Sequence, residues 1–129
     1  MPPLILLAED NENNVRTVGD YLQAKGCRLI VARNGHEVIE RARAYQPDLI
    51  LMDVQMPELD GLEATRQIRL LPGLTNIPII ALTAVAMPGD RERCLAAGVN
   101  DYLSKPISMK LLMAAIETQL NQTQGTDSR

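Results

Sequence analysis

At 129 residues the chain is long enough to bury one core and too short for two, and its 46% of apolar residues excludes a disordered chain. A formal net charge of -3 gives no general attraction to phosphate backbones or anionic membranes; with no Phe, no Trp and three Tyr there are few platforms for stacking bases, so direct nucleic-acid binding is not expected. Cys27 and Cys94 stand in no CxxC spacing and read as reduced, inert thiols, and the apolar run at the N-terminus, Leu4 to Ala8, is too short for a secretory segment or a membrane span. A soluble, cytoplasmic protein is expected.

The first element is the strand "LILLA" (4–8), followed at once by Glu9 and Asp10. Asn11 or Asn13 can cap the helix that follows, in which Val15, Val18 and Leu22 recur at helical spacing before Gly26. A second strand, "RLIVA" (28–32), precedes a helix marked by Val38 and Ala42 and stopped by Pro47; His36, next to Gly35 at its start, reads as an ordinary surface residue. The third strand, "LILMD" (49–53), ends in a bare carboxylate, Asp53, and breaks into a loop carrying Pro57 and Gly61. Leu62, Ala64 and Ile68 mark a third helix, closed by Pro72 and Gly73. The fourth strand, "IIALT" (79–83), ends in Thr83, and "AVAMPGDRERC" (84–94) then passes through a loop into a charged helix that stops at Gly98. A weaker fifth strand, "DYLS" (101–104), leads to Lys105 and Pro106 and to a last helix with Leu112, Ile116 and Leu120. The domain is read as 1–120, with 121–129 a polar tail expected to fray.

The apolar runs do not alternate with polar residues, so both faces of each strand should be covered, as in a parallel sheet. Five strand-then-helix units imply right-handed crossovers, an α/β fold with helices on both faces, and ligand chemistry beyond the carboxyl ends of the strands. Those ends carry Glu9 and Asp10, Asp53, Thr83 and Lys105. Three acids in close quarters repel unless a cation sits among them, and a hard divalent ion such as Mg²⁺, which takes oxygen ligands and keeps positions open for a phosphate, suits the set. Asp10 and Asp53 could ligate it directly, Glu9 directly or through water, and a backbone carbonyl near Gln55 could complete the set. Lys105 would then neutralise a phosphoryl oxygen, Thr83 would donate to another, and Asp53 would attack in line to give an aspartyl phosphate. Taken singly, each residue has a plainer reading: Asp10 as a turn or cap former, Thr83 as a strand residue, Lys105 as a solvated lysine. Their coincidence at successive strand ends is what favours a site.

The motifs "EDN" (9–11), "LMDVQMPELDG" (51–61), "ALTA" (81–84) and "AAGVNDYLSKP" (96–106), in this order and spacing, resemble the receiver domain of two-component response regulators over about residues 3–120. The resemblance implies a flavodoxin-like (βα)5 fold with strand order 2-1-3-4-5. It implies that Glu9 and Asp10 hold Mg²⁺ with Asp53 and the Gln55 carbonyl, that Asp53 is phosphorylated, that Thr83 and Tyr102 are the switch hydroxyl and switch aromatic, and that Lys105 binds phosphate. It also implies a Lys105–Pro106 bond that is cis in many members, and positions Gln55 and Val85 that influence how fast water removes the phosphate. The implied partners are a histidine kinase or histidine phosphotransferase as donor, and a downstream protein reading the fourth helix and fifth strand. A signalling switch rather than an enzyme is implied, one that promotes its own phosphorylation and dephosphorylation, monomeric or weakly dimeric. Two other readings fit these residues less well. Haloacid-dehalogenase phosphatases need a second Asp two residues after the first, where this chain has Gln55, and a vestigial receiver should have lost an acid or the lysine, which this chain keeps. Met1 and the short polar tail favour a free-standing regulator over a receiver excised from a hybrid kinase.

Overall fold

The computed structural model describes residues 2–56, 58–84 and 88–127, with side chains as far as Gln122. Pro57 and Val85, singled out above, and Met87 of the segment 84–94 lie outside the described residues. Five parallel strands, β1 (Leu4–Ala8), β2 (Arg28–Ala32), β3 (Leu49–Asp53), β4 (Ile79–Thr83) and β5 (Asp101–Ser104), form one sheet in the order 2-1-3-4-5. Helices α1 (Glu12–Ala24), α2 (Gly35–Tyr45), α3 (Gly61–Arg69), α4 (Asp90–Ala97) and α5 (Met109–Asp127) follow the strands in turn. No helix among the described residues is long and apolar enough to cross a membrane.

The unbroken apolar runs are explained by two separate cores. Side chains alternate across a strand, so Leu6, Ala8, Ile50, Met52, Ile79 and Ala81 bury against Val38, Ala42, Ile68, Cys94 and Ala97 of α2, α3 and α4. Ile5, Leu7, Leu49, Leu51, Ile80 and Leu82 bury on the other face against Val18, Leu22, Leu112 and Ile116 of α1 and α5. The two cysteines fall in different cores, with the sheet between them; burial pushes both thiols up, in keeping with inert, reduced side chains.

Local signals set the helix ends. Asn11 Oδ1 accepts from the Asn14 N–H at 3.1 Å, so Asn11 is the cap of α1. Asn34 and Asp60 do the same for the N–H groups of Glu37 and Glu63 at 2.9 Å each. Helix α2 stops one residue before Pro47, at Gln46 with φ 49°, because a following proline disfavours the helical conformation there. Helix α5 stays helical to Asp127, past residue 120 where a polar tail was expected; residues 121–127 contain no proline, so nothing removes a backbone donor.

Two glycines differ in what constrains them. A Cβ on Gly61 would sit 2.2 Å from the carbonyl oxygen of Asp53, whereas one on Gly26, at φ +90°, would meet nothing within 4 Å. Gly61→Ala is therefore expected to lower stability by about 2–3 kcal/mol, because backbone must move, and Gly26→Ala by only about 1 kcal/mol, the strain of a left-handed alanine. Urea midpoints at constant slope check this; equal losses would refute the steric account of Gly61.

Candidate functional site

Register brings the predicted residues to one edge. Asp53 pairs with Leu82 and Thr83 with Ser104, so β3, β4 and β5 finish nearly level, and β1 delivers Glu9 immediately after Ala8. The backbone continues the pattern beyond the strands: the Val54 N–H donates to Leu82 O at 2.9 Å and the Lys105 N–H to Thr83 O at 2.6 Å. The Lys105–Pro106 bond is cis.

Glu9 and Asp53 are each 2% exposed, while Asp10 beside them faces solvent. One oxygen from each of the three carboxylates lies within 4.8 Å of the others. Lys105 Nζ stands 3.3 Å from Glu9 Oε1 and 3.2 Å from Asp53 Oδ2, and the Gln55 N–H donates to Asp53 Oδ1 at 3.0 Å. Both oxygens of Asp53 are thus held, one by a cation and one by the chain itself. A cavity of about 200 Å³ adjoins the cluster, lined by Glu9, Asn14, Val18, Leu82, Lys105 and Ile107. The larger groove between α2 and α3, about 540 Å³ and lined by His36, Glu40, Arg43 and Gln67 among others, lies away from the acids.

Burial pushes the Asp53 carboxyl up to about 6, and the adjacent Glu9 adds to the rise against the opposing pull of the Gln55 N–H and Lys105. Burial works against the charge on Lys105, but Asp53 and Glu9 together outweigh it and hold the ammonium above its ordinary value. The arrangement is a set of acids short of positive charge. That donor set, all carboxylate oxygens with more acid than Lys105 can neutralise, fits a hard divalent cation.

Thr83 is buried at the end of β4. It lies two residues after Ala81, which packs in the α2–α3–α4 core; Tyr102, paired with Ala81 in the sheet, packs half-buried against the same core. Thr83 and Tyr102 therefore share the face that α4 covers. Gln55 is exposed beside Asp53. Sequence reasoning missed the tightness of Gly61 against the Asp53 carbonyl, and missed Asp60, whose capping of α3 fixes the far end of the same loop. A capping-box pattern, Asp60 three before Glu63, was the available signal for the second.

Residues 5–117 match the family described as the response regulator receiver domain, and the chain belongs to that family. It is 44% identical to the polar-differentiation response regulator DivK of Brucella anthropi, over 93% of this chain and 98% of that protein. Among solved structures, it is similar to the receiver domain of the sensor histidine kinase PA1611 from Pseudomonas aeruginosa, with a TM-score of 0.88 and 40% identity over 94% of this chain and 99% of that one; that structure has magnesium coordinated in its active-site cleft. The chemotaxis response regulator CheY4 of Vibrio cholerae matches with a TM-score of 0.87 and 25% identity, covering 92% and 99% of the two chains. The flavodoxin-like order 2-1-3-4-5 expected from the sequence is the order observed. Receiver domains act in two-component signalling with histidine kinases and phosphotransferases, as switches rather than as metabolic enzymes.

Because the folded protein holds the Asp53 proton more tightly than the unfolded chain, ionising Asp53 destabilises the fold. Its contribution is lost as pH rises from its unfolded value near 3.8 through about 6, and stays lost above that. In chelator, Asp53→Asn is expected to be more stable than wild type at pH 7 by about 1–3 kcal/mol, with the difference closing towards about pH 4. Urea unfolding at several pH values measures this, and equal stability at pH 7 would contradict the assigned strain.

Proposed function

We propose that the chain is a phosphoacceptor switch in which Asp53 takes a phosphoryl group from the phosphohistidine of a histidine kinase or phosphotransferase. The observation that carries the reading is the strand-end cluster: a buried carboxylate 3.2 Å from Lys105, with two further acids within 4.8 Å. In the transfer the P–N bond of the donor breaks, a bond forms between phosphorus and an Asp53 carboxylate oxygen, and the released imidazole takes up a proton. Lys105 already spans Glu9 and Asp53, so its ammonium is in place to neutralise a phosphoryl oxygen without reorganising. The Gln55 N–H fixes the Asp53 carboxylate so that it presents its other oxygen.

Glu9, Asp10, Asp53 and the Gln55 carbonyl are the groups that would hold Mg²⁺, and the magnesium in the cleft of the PA1611 receiver supports that assignment. When bound, the ion supplies neutralising charge for the phosphoryl oxygens. The same residues account for autophosphorylation from small phosphodonors and for hydrolysis of the aspartyl phosphate.

Phosphorylation adds nearly two negative charges and three acceptor oxygens beside Thr83. Thr83 turning to one of those oxygens vacates space on the face it shares with Tyr102, and the surface of α4 and β5 changes for a downstream protein partner. The protein acts in the cytoplasm as a monomer or weak dimer, with residues 1–120 as the receiver and the remainder an appendage. Its likeness to DivK over 98% of that protein supports the role of a response regulator.

Intact mass after incubation with acetyl phosphate is expected to show a single phosphoryl adduct on wild type with Mg²⁺, none on Asp53→Asn, and none in chelator. An adduct on the Asn variant, or none on either protein, would overturn the assignment. Thr83→Ala is expected to form the adduct while losing the phosphorylation-dependent change in amide shifts at Tyr102; an unaltered Tyr102 response would remove Thr83 from the switch.

A further inference from the structure

Gly35, the first residue of α2, is a glycine for space and not for backbone freedom. Its φ lies outside the left-handed region, yet a Cβ on it would overlap the carbonyl oxygen of Leu59 and stand 2.7 Å from Leu59 Cβ. The start of α2 therefore touches the main chain of the connection between β3 and α3, the segment that carries Gln55. So close an approach leaves no room for a side chain.

Both sides of the contact are held. On the helix side, Asn34 Oδ1 accepts from the Glu37 N–H at 2.9 Å, and Glu37 Oε1 accepts from the Arg33 N–H and from Arg41 Nη1, each at 2.9 Å. The same Nη1 donates to Val31 O at 2.5 Å, so the first turns of α2 are fastened to the end of β2. On the other side, Val54 and Met56 are buried in the core that α2 covers, and Leu59 packs half-buried against it. The Gly61 N–H donates to Val54 O at 3.0 Å and closes the connection on itself. Glu58, beside Leu59, holds φ 68°, a left-handed conformation that a side chain resists and that persists only where the surroundings over-determine it. The contact between Gly35 and Leu59 is one such constraint.

Two routes lead from this contact to Asp53. Leu59 stands two residues before Gly61, which abuts the Asp53 carbonyl and whose N–H holds Val54 O; the residue after Val54 is Gln55, which donates to Asp53 Oδ1 at 3.0 Å. A push at Leu59 thus reaches the Asp53 carbonyl through Gly61 and the Asp53 carboxylate through Gln55.

We propose that Gly35 is a positioning residue for Asp53: the start of α2 is a stop on which the connection after β3 is seated, and that seating sets where the N–H and the carbonyl of Gln55 stand. The stop operates without any ligand. That a metal ion uses the Gln55 carbonyl rests on the function proposed above.

Gly35→Ala adds only the methyl group that the contact forbids, and Ala42→Gly weakens the same helix without adding an atom. Urea midpoints report the stability of each, so that effects on the site can be compared between folded proteins. In chelator, nuclear magnetic resonance of Gly35→Ala should show the Gln55 amide proton moved upfield, as its bond to Asp53 lengthens, and the Gly61 amide displaced as well. Ala42→Gly should leave both in place. Calorimetric titration with Mg²⁺ should give a Kd about tenfold or more higher for Gly35→Ala, the loss expected when a group that orients a metal ligand is disturbed, and a Kd like that of wild type for Ala42→Gly. Leu59→Gly, which removes the Cβ facing Gly35 and introduces no clash, should displace the same two amides and decides the matter if Gly35→Ala does not fold. Wild-type amide positions in Gly35→Ala, or in Leu59→Gly, overturn the stop, as do equal displacements in Ala42→Gly. Displaced amides with an unchanged Mg²⁺ affinity uphold the stop and remove the Gln55 carbonyl from the metal ligands. If wild type itself takes up no Mg²⁺, the metal assignment made above fails, and the amide positions in chelator still decide the stop.

Discussion

One contact sets the terms for the rest of the structure: the Lys105 ammonium held between two buried carboxylates, 3.3 Å from Glu9 and 3.2 Å from Asp53. Burying two acids at the end of a sheet is unfavourable, and one lysine does not offset it fully, since Asp53 still titrates at about 6. The site is therefore a place of stored electrostatic tension. Such a cluster is of little use to stability, and perturbed acids of this kind mark a candidate functional site.

The scaffold must hold that tension without yielding. Parallel strands buried on both faces do this, because β3 cannot shift without disturbing two cores at once. Gly61 lets α3 begin directly against the Asp53 carbonyl, and the Gln55 N–H fixes the carboxylate from the loop. Asp53 is thereby fixed in position while its oxygens remain at the rim of the sheet.

The two edges of the sheet are held by different chemistry. At the carboxyl edge of the sheet the groups are charged and closely coupled, with Thr83 and Tyr102 sharing one face. At the opposite edge, Arg69 and Asn100 tie the starts of β4 and β5 to the end of α4 through carbonyls.

The sequence by itself determined the strands, the order of elements and which acids, hydroxyl and ammonium stand at the strand ends. Apolar runs bounded by charge or glycine admit one reading, and acids, a hydroxyl and an ammonium at successive strand ends are residue types whose chemistry is visible before any folding. Family motifs added the strand order. Tertiary structure alone decided which helices cover which face, how deeply Asp53 is buried and what that does to its proton. It also decided that the helix after β5 runs to Asp127 and that Gln46 takes the left-handed conformation at the end of α2. Arg69 shows why such features stay hidden: in the sequence it is one more basic residue in the last turn of a helix. Apart from the Asn100 side chain, its partners are main-chain carbonyls as far as 29 residues away, and every residue has a carbonyl, so no residue type marks the ones that will converge.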